Sequence, residues 1–349
     1  MAERVEGFNF EQRHGKERVR VARLWKTKEG KHYVVEWRVG ISLFSDCVNS
    51  YLRDDNSDIV ATDTMKNTVY AKAKECSEIL SVENFAIELA KHFISFYRQV
   101  TTAIVNIVEK PWERIIVDGQ PHMHGFKLGS ERHTVEAIVK KSGALQLTSG
   151  VEGLSVLKTT KLSMLYRNLY FDFDIIFPVK FLFLLVIPFF YPPNAGKNIK
   201  CYKSGFEGFI RDKYTALPET RERMLATEVT GLWRYSYESL SSVPQKPLYF
   251  MERYGDVKRV LLETFFGPPN VGVYSPSVQS TLYQMARATL NRFPDIDSVQ
   301  LKMPNIHFLP VNISNTGGQI VKFNDDVYLP TDEPHGSIQA TLSCFWSKM

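Results

Sequence analysis

The sequence predicts an α+β fold of antiparallel sheets with helices on one face, laid down in two loosely matching halves. Three observations predict it. Strand-like runs alternate apolar and polar residues with period two, as a half-buried antiparallel sheet requires. Longer segments carry apolar residues at helical spacing. The order hairpin, helical segment, further strand then recurs, at roughly 150 residues per half.

Taken in order, "RVRVARLWK" and "HYVVEWRVGISLF" alternate, with Val35, Trp37, Val39, Ile41 and Leu43 on one face and "TKEGK" as the hairpin connection. The polar segment "SYLRDDNSDIVATDTMKNTVYAKAKE" leads into a helix. Ser81 is its N-cap, and Phe85, Leu89, Phe93 and Phe96 recur along one side. "TTAIVNIVEKPWERI" and "TVEAIVKK" alternate again, and "LQLTSG" and "LSVLKTT" read as two strands. Pro218 stands as the first residue of a helix through "PETRERMLATEV". "GLWRYSYE" and "DVKRVLLETFFG" follow, and Ser275-Pro276 opens a last helix with Val278, Leu282, Met285 and Leu290 on one side. "SVQLKMPNIHFL" closes on alternation at Val299, Leu301 and Met303. The halves divide as 1–147 and 148–349. Sheets covered on one face leave the other face and the edges open, and closing them into a barrel between subunits removes both problems. Oligomerisation is therefore expected.

Composition excludes several classes. With 44% hydrophobic and 23% charged residues the chain is globular, neither disordered nor collagenous. The net charge of +5 is scattered, with no run of five like charges, which argues against a nucleic-acid face. Cys47, Cys76, Cys201 and Cys344 lie far apart and read as reduced thiols. The N-terminus has no apolar core and reads as no secretory signal. Neither a phosphate-cradling glycine loop nor H-E-x-x-H is present. His122 and His124 in "HMH" lack a third ligand, so they read as surface histidines beside a turn. The C-terminal Ser347, Lys348 and Met349 form a conservative variant of the S-K-L address, which predicts a peroxisomal import receptor as partner and the peroxisome as location.

One stretch is foreign to the rest. Residues 162–203, "LSMLYRNLYFDFDIIFPVKFLFLLVIPFFYPPNAGKNIKCYK", are dense in Phe, Tyr, Leu and Ile and match nothing else in the chain. They carry five Lys/Arg and two Asp, so they contribute +3 of the net +5. A membrane span needs ~20 apolar residues. Here the uninterrupted run Phe181–Tyr191 is 11 long, with Lys180 before it and Pro188 inside, so no span is expected. The simplest reading is a retained non-coding segment or an erroneous gene model. As protein it would expose an apolar patch and drive aggregation.

Several segments resemble the urate oxidase (uricase) family, in family order: "HGKERVRV", "SDIVATDTMKNTVY", "SGFEGFIRDKYTALPETRERML", "SPSVQSTLYQMA" and "MPNIHF". The resemblance covers nearly the whole chain except residues 162–203, and removing those leaves about the family's length. It implies a tandem tunnelling fold (T-fold), two ββααββ units per chain, a homotetramer forming a β-barrel tunnel, and active sites at subunit interfaces. It implies oxidation of urate by dioxygen and water to 5-hydroxyisourate and hydrogen peroxide, with no metal or organic cofactor. Carried over by motif, Arg223 and Gln279 would grip opposite edges of the purine. An arginine fork donates two parallel hydrogen bonds, and a glutamine amide offers donor and acceptor together. Phe206 would stack on the ring, Leu217 would shape the pocket, and the Val278 N–H would add a contact. Thr62 and Asp63 would arrive from a neighbouring subunit, Asn305 would hold dioxygen or water, and Lys16, Thr62 and His307 would carry protons. Taken singly, Phe206 reads as core, Arg223 as a solvent-facing helical residue and His307 as structural; their joint order gives them meaning. The competing expectations are another tunnelling-fold purine or pterin enzyme, and an inactive, membrane-attached or aggregating variant.

Overall fold

The computed structural model describes residues 3–5, 7–159, 204–246, 248–315, 318–319, 321 and 326–344. After a small ribbon of β1 (Glu3–Val5) and β2 (Phe8–Phe10), the long strands β3 (His14–Lys26) and β4 (His32–Ser45) form the expected hairpin. The helices α1 (Asn49–Leu52), α2 (Thr62–Glu75) and α3 (Val82–Phe96) follow. Next come β5 (Val100–Lys110), the ribbon β6 (Trp112–Val117) and β7 (Gln120–Leu128), and β8 (Arg132–Lys140). The second half runs β9 (Leu145–Lys158), β10 (Ser204–Phe206), β11 (Thr220–Arg223), β12 (Leu225–Tyr235), α4 (Tyr249–Phe266), α5 (Val278–Arg292) and β13 (Ile296–Pro304). It closes with β14 (His307–Pro310), β15 (Ser314–Asn315), β16 (Gly318–Gln319), β17 (Tyr328–Thr331) and β18 (Ser337–Ser343).

Eight strands join in one antiparallel sheet in the order β18-β13-β12-β9-β8-β5-β4-β3. Set aside the ribbons and the short α1, and each half of that sheet reads strand, strand, helix, helix, strand, strand. The join between halves, β8 against β9, is paired from Arg132↔Glu152 to Val139↔Leu145, so the sheet is continuous there.

Period two decides which face is buried. Val19, Val21 and Trp25 of β3 lie under the helices while Arg20, Ala22 and Leu24 are exposed, and Val299, Leu301 and Met303 of β13 are buried as their alternation predicts. The core holds Trp37, Phe85, Phe93, Trp233, Phe250 and Phe265, each fully buried, with Trp37 stacked on Phe85 at 4.3 Å between centroids. Among the described residues the opposite sheet face carries no helix, and no further strand pairs outside β3 or β18.

Helix α3 begins as expected, with Ser81 Oγ accepting from Asn84 N at 3.2 Å, although Phe96 ends 70% exposed. Other readings change. The segment after Pro218 is not a helix but β11 and β12: Val229, Gly231, Trp233 and Tyr235 alternate through the sheet, and that pattern outweighs the proline and charge signals. A helix forms instead over Tyr249–Phe266, burying Phe250, Val257, Leu261 and Phe265. The polar segment before α3 contains α2, which buries only the narrow stripe Met65, Val69 and Ala73. The two strands read in 145–158 are one strand, β9, and the last helix starts at Val278, with Ser277 Oγ accepting from Ser280 N at 3.0 Å.

Where the halves meet, the core carries charge. The fully buried Glu83 of α3 pairs with the His133 imidazole of β8 at 2.9 Å and accepts from Ser149 Oγ of β9 at 2.7 Å, while Tyr254 of α4 stacks on His133 at 3.9 Å. Burial alone would raise the Glu83 pKa, but the His133 charge and the Ser149 bond outweigh it and hold it below 4.5. Burial would lower His133, but the Glu83 charge, with Glu109 beyond it, holds it above 6.5. The sign follows from linkage. The carboxylate's contribution is present above 4.5 and lost as pH falls through its depressed value, whereas the imidazolium's is present below 6.5 and lost as pH rises through its raised value. The pair therefore contributes fully between those two values. Removing one partner strands a buried charge, at a cost of about 3–5 kcal/mol. His133→Gln should lower the unfolding free energy from urea titration by that much near pH 6 and flatten its decline from pH 6 to 9; an unchanged pH slope excludes the pair as its cause.

Candidate active site

Four pieces of the second half converge. Strand β10 pairs with β11, placing Ser204 opposite Arg223 and Phe206 opposite Thr220. The Arg223 guanidinium carbon lies 5.4 Å from the centre of the Phe206 ring, which stacks on Phe209 at 4.8 Å. Arg223 Nε is buried with no hydrogen-bond partner, and burial depresses the guanidinium pKa. Gly205 N donates to Ser275 O at 2.9 Å, bringing the start of α5, with Val278 buried and Gln279 exposed, beside β10. The turn before β14 is tied to the start of β12 by Ile306 N to Ala226 O at 3.0 Å, and Asn305 N donates to Gly336 O at 2.8 Å. His307, half-buried there, has its pKa lowered first by burial and then by the charges of Arg223 and His335.

Phe206, Arg223, Val278, Gln279, Asn305 and His307 thus share one end of the second half. Leu217 does not join them as tightly: it lies in the connection between β10 and β11 and is 52% exposed. His335 was missed by sequence reasoning, because its link to His307 is through space.

Lys16, Thr62 and Asp63 form a separate group at the outer edge of the first half. Lys16 is half-buried on β3 opposite Ile41, beside a bulge that puts Arg18 at φ 60°. Thr62 and Asp63 open α2 and are exposed. His14 Nε2 lies 3.1 Å from Val60 O and fastens β3 to the approach of that helix. The N-cap of α2 is Ala61, with no capping side chain, so the first-turn N–H groups lack the usual side-chain acceptor. The Asp63 carboxylate accepts from Lys66 Nζ at 2.5 Å and Asn67 Nδ2 at 2.8 Å. The Lys66 bond and charge, then Asn67 and the Lys16 charge, hold its pKa down against slight burial.

The two groups cannot meet within one chain. Register runs from Lys16 through Ile41, Val105 and Ala137 to Leu147, and the next residue of β9, Thr148, faces Arg234 near the C-terminal end of β12. Arg223 lies beyond the opposite end of β12. Ten residues of strand is roughly 33 Å, and the five strand spacings from β12 to β3 add roughly 24 Å across the sheet.

A continuous antiparallel sheet with paired helices on one face, repeated in two halves, is an α+β fold of the tunnelling class, and the two groups of residues lie at its extremities. Comparisons sharpen this. The Uricase family model matches residues 12–138 and 197–339. Uricase-2 isozyme 2 of Glycine max is 72% identical over 345 residues, covering 99% of this chain and 98% of that protein. Uricase of Arabidopsis thaliana is 60% identical over 351 residues, with both chains covered completely. The crystal structure of uricase from Arthrobacter globiformis aligns with a TM-score of 0.75 at 28% identity, covering 99% of this chain and 98% of that one. The chain belongs to the uricase family.

Residues 162–203 and the C-terminal Ser347, Lys348 and Met349 lie outside the described residues. His122 and His124 sit on β7 with ring centres 4.7 Å apart, and among the described residues no three His, Cys, Asp or Glu side chains gather as a metal site. Among the same residues no helix is long and apolar enough to cross a membrane.

Proposed function

We infer that this chain is a urate oxidase, converting urate, dioxygen and water to 5-hydroxyisourate and hydrogen peroxide. The observation that carries the reading is the Arg223 cation, half-buried beside the Phe206 ring with its Nε unpaired. A planar anion stacked on Phe206 would bring carbonyl and ring-nitrogen acceptors to that fork. Gln279 would meet the pyrimidine edge with donor and acceptor together. A second copy of the chain would supply the uncapped first turn of α2, whose N–H groups at Thr62 and Asp63 suit acceptors on the five-membered ring. With it would come Lys16, which passes protons through Thr62 toward His307 while Asn305 holds dioxygen or water above the ring.

Such completion requires association, and the open edges at β3 and β18 and the bare sheet face are what a tetrameric barrel would close. Residues 1–147 and 148–349 then act as two units, one for each half-site. The terminal Ser347-Lys348-Met349 would deliver the assembly to the peroxisome through its import receptor.

The test is loss of urate absorbance together with peroxide release. Arg223→Ala removes a bidentate charged contact worth about 3 kcal/mol, so kcat/KM should fall by about 100-fold. Arg223→Lys, a point charge without the fork, should recover only part of that. Unchanged kcat/KM in Arg223→Ala would overturn the assignment.

A further inference from the structure

Lys158 is the last residue of β9, and no step of the proposed reaction uses it. Its half-buried ammonium donates to Phe265 O at 2.9 Å, Val273 O at 3.1 Å and Ser275 Oγ at 2.7 Å, which uses all three of its hydrogens. Among the described residues no carboxylate pairs with it, and the Phe265 ring lies 4.9 Å from the nitrogen. Burial without a counter-charge pushes its pKa down to about 8. Such a cation is held by geometry, and the three acceptors say what it fastens. Phe265 O belongs to the last turn of α4, where carbonyls lack helical partners. Val273 and Ser275 lie in the connection that leads into α5.

Ser275 is the node. It is 2% exposed, and its Oγ lies 2.7 Å from Thr281 Oγ1, which is also 3.0 Å from Ser277 O, the N-cap residue of α5. Its carbonyl accepts from Gly205 N, and Ser204 bridges to it in parallel. One continuous run of hydrogen bonds therefore reaches from Lys158 to Ser277, the residue before Val278 and Gln279. A second run reaches Gly205, the residue before Phe206.

We infer that Lys158 is a positioning residue for this site: through Ser275 it sets the spacing between the stacking wall at Phe206 and the edge-reading amide at Gln279. The inference rests on the urate oxidase reading and extends it to a residue that touches no substrate.

The experiment makes Lys158→Met and Ser275→Ala in the full-length chain and in the chain lacking 162–203. It measures urate kinetics and, by equilibrium dialysis, the Kd for xanthine, which keeps the pyrimidine edge of urate. Lys158→Met should raise KM and the xanthine Kd by about tenfold with kcat within about threefold, and Ser275→Ala should raise both by about threefold. Lys158→Cys alkylated with 2-bromoethylamine, which rebuilds an ammonium at nearly the same reach, should restore KM against an identically treated parent. General loss of packing would lower the folded fraction and would not be reversed in this way. If Lys158→Met fails to fold, Ser275→Ala decides. Values within twofold of the parent in every folded variant overturn the inference. A folded parent lacking 162–203 that neither binds xanthine nor oxidises urate overturns the urate oxidase reading instead.

Discussion

A chain lacking residues 162–203 should be recovered in the soluble fraction and should oxidise urate, while the full-length chain should largely pellet and show little turnover. The geometry of the ends says why removal is tolerated. Lys158 faces Leu225 and Ser204 faces Arg223, so the partner strand advances two residues while this one advances 46, an excess of 44 that equals the length of 160–203. The chain therefore re-enters the register that an uninterrupted strand would have kept. After deletion Thr159, Thr160 and Lys161 cover a step that register spans with one residue, and a β-bulge accommodates the surplus. Shortening that connection also recovers about 2 kcal/mol of closure entropy. Entropy alone would let the full chain fold. Its defect should be solubility, because the run Phe181–Tyr191 adds a dense apolar stretch to the sequence. The gain in soluble protein should be roughly tenfold, measured by fractionation and sedimentation. A full-length chain that stays soluble and assembled, with the turnover of the shortened one, sinks this expectation.

The parts that were legible in the sequence share one property: a strong local period. Val35 through Leu43, Val299 through Met303, and Phe85, Leu89 and Phe93 each bury one face, and each shows it within a dozen residues. The misreadings arose where local and tertiary signals disagree. Pro218, Glu219, Arg221 and Glu222 resemble a helix start, yet the strand beyond is fixed by neighbours on both sides, β9 and β13. Met65, Val69 and Ala73 make too thin a stripe to stand out among the polar residues of α2. At the site, the family resemblance implied the residue types and a contribution from a neighbouring subunit, but the length of sheet between the two groups is a property of pairings and not of motif order. Lys158 was invisible for a related reason: two of its three acceptors are backbone carbonyls, 107 and 115 residues away, and carbonyls leave no trace in residue identity.

Co-expression of two dead chains should produce a live enzyme. Lys16→Ala removes the proton-accepting amine and Arg223→Ala removes the anion fork, so each homo-oligomer should retain about 1% of turnover or less. Lys16 on β3 lies level with the C-terminal end of β12, five strand spacings away, whereas Arg223 lies beyond the N-terminal end of β12, so one chain in this fold does not present both to a single purine. If a site takes Lys16 from one copy and Arg223 from another, random pairing at equal expression supplies both intact halves to about one site in four. Turnover near a quarter of the parent value should therefore appear in the purified mixed oligomer, isolated through two different affinity tags. The number discriminates, because sites built within single chains would give only the mean of the two mutants. Mixing after separate purification should give nothing unless subunits exchange, and that control fixes assembly as the source of the recovery. Co-expressed oligomers no more active than either mutant alone, with both tags present and assembly intact, would place the two halves in one chain and contradict the register that keeps them apart.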